Sequence, residues 1–380
     1  MQYVNYGKTG LKVSRFGLGC MRFPEDEKKA IEMVRYALDH GVTYTDTAFV
    51  YTNSEAILGK ALSDGYRNKT ALATKSPLWI VEKHKDFELY LDEELKRLKT
   101  DHIDIYLMHN LYPDNWERVK KYDGLSFLDK MLKKGKILHK GFSIHNTTAA
   151  FKEIADSFDW DMAQQQLNIL DENQQVGVEG LKYGAQKGLA MVIMEPLRGG
   201  AILNAPKEVL DIVNSFPDKR PLVEWCFRWL YNKEEISVIL SGTNTLEQLK
   251  ENLKIFENAA PNVMTKEEDD LIKKLQAAYA KNNTVGCTGC RYCMPCPKGI
   301  QIPDIFKTYN NYKISESRID AIYYQKTFMD LGKGADQCVS CGQCKKKCPQ
   351  TLDIPAKLKE AHECFLEVQM PAHKRPENCK

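Results

Sequence analysis

The sequence predicts a parallel (β/α)8 barrel followed by a smaller, mainly helical domain rich in cysteine. Three observations carry this. Over roughly the first 245 residues, eight short apolar runs alternate with amphipathic stretches, as a closed β/α barrel requires. Of the 12 cysteines in 380 residues, only Cys20 and Cys226 precede residue 287. Charge divides at the same place: residues 281–380 carry a formal +6 and the remainder −3, giving +3 overall. No apolar run is long enough for a membrane-spanning helix. The near-neutral charge argues against a nucleic-acid partner. The start Met1-Gln2-Tyr3-Val4 has no basic region leading into an apolar one, so a cytoplasmic protein is expected.

The expected strands cover residues 16–20, 43–46, 70–75, 103–108, 137–143, 162–167, 189–194 and 236–240. Between the first two, residues 28–40 place Ile31, Val34, Tyr36 and Leu38 at helical spacing and stop at Gly41. Residues 87–99 set Leu91, Leu95 and Leu98 on one face, with the charges of 94–98 turned outward. An open doubly wound sheet is the competing architecture, and it calls for G-x-G-x-x-G after its first strand. Here Gly17-Leu18-Gly19 runs into Cys20-Met21-Arg22 with no third glycine. Residues 247–283 read as terminal helices and 282–286 as a linker. The expected domains are therefore 1–283 and 284–380.

The second domain holds two cysteine motifs. Cys338, Cys341, Cys344 and Cys348, followed by Pro349, have the C-x2-C-x2-C-x3-C-P spacing of bacterial iron–sulfur sites. Cys287, Cys290, Cys293 and Cys296, followed by Pro297, are one residue shorter. Three thiolates spaced by two residues wrap one face of a 4Fe–4S cubane, and the fourth serves the other cluster. Cys287, Cys290 and Cys293 then pair with Cys348, and Cys338, Cys341 and Cys344 with Cys296. Zinc is the alternative, but it favours two C-x2-C pairs rather than eight cysteines with trailing prolines. Cys364 and Cys379 have no slot. Between the motifs, 302–311 and 319–331 read as helices, which resembles the α-helical ferredoxin domains of multi-subunit reductases.

In the barrel, chemistry is expected at the C-terminal ends of the strands. Asp46, Lys75 and His109 end three consecutive expected strands, and Tyr51 follows Asp46 by five residues. A phenol is a poor proton donor at neutral pH, and a nearby ammonium lowers its pKa. An aspartate would hold the lysine, and a neutral histidine would position a carbonyl oxygen. The group suits protonation of a carbonyl oxygen while hydride reaches the carbon.

The chain resembles the aldo-keto reductases, and more closely a subgroup with a C-terminal ferredoxin-type domain. The resemblance rests on Gly7-Lys8-Thr9-Gly10-Leu11-Lys12-Val13-Ser14-Arg15-Phe16-Gly17-Leu18-Gly19, on Asp46-Thr47-Ala48 with Tyr51 and Ser54-Glu55, on Ala73-Thr74-Lys75, and on Leu107-Met108-His109. It implies an oxidoreductase in which Asp46, Tyr51, Lys75 and His109 form the catalytic tetrad and Tyr51 is the proton donor. It implies NADP or NAD lying across the barrel mouth. Ser143 and Gln164 would hold the carboxamide. Gly19, Met21, Asp46, Pro196, Leu197 and Gly200 would border the nucleotide, and Ser241, Gly242 and Thr243 the adenosine half. Gln248, Glu251 and Asn252 would meet the adenine end. Three departures stand out. Ser143 is followed by Ile144 rather than asparagine. Met194 stands where many members have a stacking tyrosine. Uncharged Gln248 stands where an arginine meets the 2′-phosphate, which leaves NADP against NAD open.

A 4Fe–4S cluster passes single electrons and nicotinamide passes a hydride, so three arrangements stay open. The barrel reduces a carbonyl with NAD(P)H while the clusters accompany it. A flavin or a ferredoxin-fed one-electron route serves a different reduction. Or the chain is a non-catalytic electron-transfer or sensor protein, against which the intact tetrad counts. Lys345-Lys346-Lys347 offers basic charge to an acidic ferredoxin, although such runs are commonly solvated. Met21, Trp79 and Asn110 are expected to line the pocket for a small carbonyl substrate.

Overall fold

The computed structural model describes residues 1–111, 113–281, 285–287, 289, 291–315 and 318–369. It divides into two compact units, Met1–Pro196 with Val223–Lys266, and Leu197–Leu222 with Glu267–Lys380. The expected domain boundary falls among residues outside the description. No helix among the described residues is long and apolar enough to cross a membrane.

The first unit opens with an antiparallel hairpin of β1 (Tyr3–Asn5) and β2 (Lys12–Ser14). Eight parallel strands follow: β3 (Phe16–Gly19), β4 (Tyr44–Asp46), β5 (Ala71–Ser76), β6 (Ile103–Met108), β7 (Ile137–Ile144), β8 (Met162–Gln166), β9 (Ala190–Met194) and β10 (Ile236–Ser241). They pair in sequence order, and β10 returns to β3 to close the barrel. Alternation sends Tyr44, Ala73, Ile105, Leu107, Met162, Val192, Val238 and Leu240 into one interior cluster. Tyr6, between the hairpin strands, joins that cluster at the N-terminal end, its hydroxyl 3.1 Å from that of Tyr44. The neighbouring Gly7 has φ +53°, and a Cβ there would lie 2.4 Å from the Ala190 nitrogen, so only glycine fits.

Arg15 shows what closes the ring. Its buried guanidinium donates to four carbonyls: Tyr231 (2.8 Å), Ala259 (2.7 Å), Lys233 (3.0 Å) and Ile236 (3.1 Å). Burial lowers its pKa to about 10, still charged at neutral pH. Arg15→Met would strand those carbonyls without a donor. It is expected to cost about 3–5 kcal/mol, read as a lower urea midpoint for the barrel.

One helix departs from expectation. The helix His84–Leu98 forms as its apolar spacing requires, but Glu94 is fully buried (0% exposed) rather than turned to solvent. The reason is positional, since residue 94 is three after Leu91 and four before Leu98 and shares their face. Burial, and then neighbouring Glu55, push the Glu94 carboxyl well above the usual carboxylate range. The folded state therefore binds this proton more tightly than the unfolded chain, and stability drains as pH rises above the unfolded value near 4.5. Glu94→Gln is expected to raise stability at pH 8. The gain is about 1.4 kcal/mol per unit of upward shift traversed and vanishes near pH 4.

In the second unit, helices Ile302–Ser315, Arg318–Tyr324 and Ile354–Gln369 enclose a separate apolar core. Phe306, Tyr309, Tyr324, Leu358 and Phe365 fill its centre, with Tyr324 and Phe365 stacked at 4.4 Å. Cys287, Cys293, Cys296, Cys338, Cys344, Cys348 and Cys364 pack around that core.

Candidate active site and cysteine centres

Because the barrel strands are parallel, their last residues share one rim. Asp46 ends β4, Lys75 is next to last in β5, and His109 follows β6 directly. Lys75 is wholly buried, its Nζ 2.6 Å from Asp46 Oδ1 and 2.6 Å from the Thr47 carbonyl. The Lys75 ammonium lies 5.2 Å from the ring centre of half-buried Tyr51. The Tyr51 ring meets His109 edge-on at 6.1 Å, and Trp79 lies 5.2 Å from His109 on another side. The four expected residues are thus neighbours, and Trp79 stands beside them.

Local sequence explains how Tyr51 reaches this place. The turn after β4 bonds Tyr51 N–H to the Ala48 carbonyl at 3.0 Å. Ser54 opens the helix Ser54–Ala61, its hydroxyl 2.8 Å from that of Thr47 and donating to the Cys20 carbonyl at 2.8 Å. Glu55 is buried one residue later. It accepts from Thr74 Oγ1 at 2.7 Å and from Arg97 at 3.3 Å. Thr74 precedes Lys75, so the segment carrying Tyr51 is tied to the strand carrying Lys75.

Electrostatics at this rim follow burial. Desolvation pulls Lys75 down, but Asp46 and Tyr51 outweigh it and the ammonium is held charged. Burial raises the Asp46 pKa against the pull of Lys75. The Tyr51 phenol is also raised, since desolvation outweighs the lysine that was expected to lower it. His109 is held neutral by burial, then by the neighbouring Lys75 charge.

Within the first unit, residues expected at a nucleotide are spread along the same rim. A Cβ at Gly19 would lie in ordinary contact with the end of the neighbouring strand β10, 3.5 Å from Ser241 and 3.6 Å from Gly242. Ser143 Oγ accepts from the Asn110 backbone N–H at 2.8 Å. Gln164 is buried with its Oε1 unpartnered among the described residues, and its Nε2 lies 3.7 Å from Met194 Sδ. Ser241 Oγ accepts from Asn252 Nδ2 at 3.0 Å, and buried Thr243 Oγ1 has no partner among the described residues. Gln248 closes the start of the helix Leu246–Ile255. Its side chain accepts from the Asn244 N–H at 3.2 Å, and its own N–H donates to Thr245 Oγ1 at 3.2 Å. Glu251 and Met21 are exposed, and Pro196 is buried directly beyond β9 and Glu195. Leu197 and Gly200 belong to the second unit, where Gly199 and Gly200 adopt φ of +69° and +93°.

Sequence reasoning missed three residues at this rim. Arg22 runs past Gly242, its Cβ 3.9 Å from where a side chain there would begin. His145 is buried, with Nδ1 3.1 Å from Gln175 Oε1 and Nε2 4.0 Å from Glu195 Oε1. Burial lowers its pKa to about 4. Glu195 has φ of +56° and contributes to the field at Tyr51. Strand alternation was the available signal for His145, since residues 143 and 145 share a face.

The cysteine motifs fold as a repeat. Gly289 and Ser340 take φ of +71° and +52° at matching places, Arg291 and Gly342 +66° and +74°, and Gly299 and Thr351 +72° and +53°. Alternation of such residues with ordinary ones turns successive N–H groups inward, a concavity that suits an anionic cluster. Cys287, Cys293 and Cys348 line one cavity, so the first motif meets the last cysteine of the second. Cys344 is raised by burial, with Cys338 and Cys296 beside it adding to the effect. Cys341 is exposed, and Cys290 and Cys379 lie outside the described residues. Among the described residues, no three such side chains are placed to hold a single metal ion.

Comparison with known proteins agrees with this arrangement. The Aldo/keto reductase family matches residues 15–273, and a 4Fe-4S dicluster domain matches residues 286–352. An uncharacterized oxidoreductase of Bacillus subtilis, YrpG, is 27% identical over 68% of this chain and 91% of its own length. The aldo-keto reductase YhdN of the same organism is 41% identical over 30% of this chain and 39% of its own. Among solved structures, the holo form of an aldo-keto reductase from Bacillus halodurans superposes with a TM-score of 0.62 at 26% identity, covering 72% of this chain and 96% of that one. With its closed barrel, its strand-end residues and these matches, the chain belongs to the aldo/keto reductase family and carries a C-terminal 4Fe-4S dicluster domain.

Proposed function

We propose that the barrel reduces a small carbonyl substrate, with Tyr51 giving its proton to the carbonyl oxygen. The observation that carries this is the Lys75 ammonium, ion-paired to Asp46 and set against Tyr51 beside a neutral His109. The raised phenol pKa keeps Tyr51 protonated at neutral pH, and the ammonium stabilises the phenolate as it forms. His109 donates from one ring nitrogen to orient the oxygen, and Trp79 walls the substrate. A nicotinamide coenzyme supplies the hydride when bound. Gln164 and Ser143 would hold its carboxamide, for which the unpartnered Gln164 Oε1 speaks. Gly19, Ser241, Gly242 and Thr243 would line the nucleotide. Gln248 is engaged at the helix start, so Arg22 is the cation we assign to a phosphate there.

The cysteines fit two 4Fe–4S clusters with crossed ligands, a reading supported by the cavity shared by Cys287, Cys293 and Cys348. The clusters supply one-electron chemistry when bound. Thiolates in such number suit a reducing compartment, and we place the protein in the cytoplasm. Residues 1–283 and 284–380 serve as the two functional segments. Anaerobic purification with iron and sulfide counted tests this, followed by NADPH and NADH oxidation against aldehydes and ketones. About eight irons, no flavin and nucleotide-dependent carbonyl reduction are expected. A stoichiometric flavin, or reduction driven by ferredoxin alone, would overturn it in favour of one-electron input, the reading that Met194 in place of a stacking ring favours.

A further inference from the structure

The two cysteine motifs continue into a second repeat. Cys296-Pro297-Lys298-Gly299-Ile300-Gln301-Ile302-Pro303 aligns with Cys348-Pro349-Gln350-Thr351-Leu352-Asp353-Ile354-Pro355. The repeat puts Lys298 and Gln350 at the same place, two residues after the last cysteine of each motif. Their environments differ. Lys298 is exposed, whereas Gln350 is only 7% exposed. Both ends of the Gln350 carboxamide, Nε2 and Oε1, are buried with no hydrogen-bond partner among the described residues. The side chain lines the cavity formed by Cys287, Cys293 and Cys348, whose other walls include Ile302, Phe306 and Leu352 together with Arg291, which is ion-paired to Asp304.

A buried amide carries a desolvation cost unless something accepts its N–H. Three cysteines line that cavity and offer sulfur acceptors, whereas Arg291 offers none. We propose that Gln350 donates an N–H···S hydrogen bond to the cluster served by Cys287, Cys293 and Cys348, and thereby sets its reduction potential apart from that of the other cluster. The proposal rests on the two-cluster reading above. Reduction adds negative charge to the cluster, and a donor fixed among apolar side chains stabilises the added charge more than water would. The other site has a solvated lysine at the matching place and lacks this donor. The repeat therefore holds two clusters of different potential, and Gln350 is one source of the difference.

The test uses the full chain purified without oxygen, with iron and sulfide counted and both clusters titrated by EPR. Gln350→Met keeps length and burial and removes the donor. It is expected to retain about eight irons and lower one midpoint, leaving the other unchanged. The reduced-to-oxidised ratio of that cluster at a fixed poise should fall by up to about tenfold, equivalent to about 59 mV for one electron. With the iron retained, both midpoints unchanged, or both shifted together, would overturn the proposal. If Gln350→Met loses iron, the wild-type chain labelled with 15N-glutamine decides the matter. Pulsed EPR of the reduced protein should then show a 15N coupling to one cluster, and its absence overturns the proposal. Wild-type protein devoid of iron and sulfide would instead refute the two-cluster reading itself.

Discussion

Tyr51→Phe is expected to lower kcat/KM for carbonyl reduction by about 10²–10⁴-fold, the contribution of a positioned general acid. Nucleotide affinity should stay within about twofold, because on the proposed reading the phenol would meet the reacting oxygen and not the residues expected at the coenzyme. The ring is kept, so its edge contact with His109 and its place over Lys75 are kept as well. Lys75→Met should give a loss of similar size. The two losses should not add when combined, because on the proposed reading the lysine would act through the phenolate left on Tyr51. Full activity in Tyr51→Phe on the best substrate of a carbonyl panel would end the reading of Tyr51 as donor.

Cys348→Ser is expected to halve the iron content, from about eight to about four. The informative variant is the pair Cys287→Ser with Cys348→Ser. If ligands cross between the motifs, both substitutions strike one cluster and about four irons remain. If each motif holds its own cluster, the pair strikes both and the iron falls towards zero. The cavity shared by Cys287, Cys293 and Cys348 favours the first outcome. Loss of a cluster should also loosen the helical core, since seven cysteines pack against it and metal binding is coupled to folding.

The barrel was legible because its strands are short apolar runs whose ends need no special residues. All eight lie within one residue of their expected bounds at each end. The N-terminal hairpin was not legible, since Tyr3–Asn5 and Lys12–Ser14 are three residues each and carry no clear alternation. At the site, Asp46, Tyr51, Lys75 and His109 were readable from residue type and strand position. The direction of the Tyr51 shift was not, because it depends on how much water reaches the phenol. Glu94 shows a related failure. Its face follows from the spacing of Leu91 and Leu98, but residue type argued the other way. His145 lay one alternation beyond Ser143, past the end of the expected strand 137–143. The two cysteine motifs were readable from spacing and trailing prolines, and a 4Fe-4S dicluster domain matches them, whereas the burial of Gln350 is a property of the folded core alone.

Thr74 and Lys75 are adjacent on β5, so they necessarily point to opposite sides of the wall. One reaches inward to Asp46, and the other outward to Glu55 at the foot of the segment bearing Tyr51. A single-residue deletion early in β5 would exchange the two. The ammonium would be driven beneath the surrounding helices, and the hydroxyl would be left at the rim. One backbone thus acts as a gauge for two assemblies at once. Any drift that displaced the lysine would also release the tyrosine, so the pair is set together or lost together.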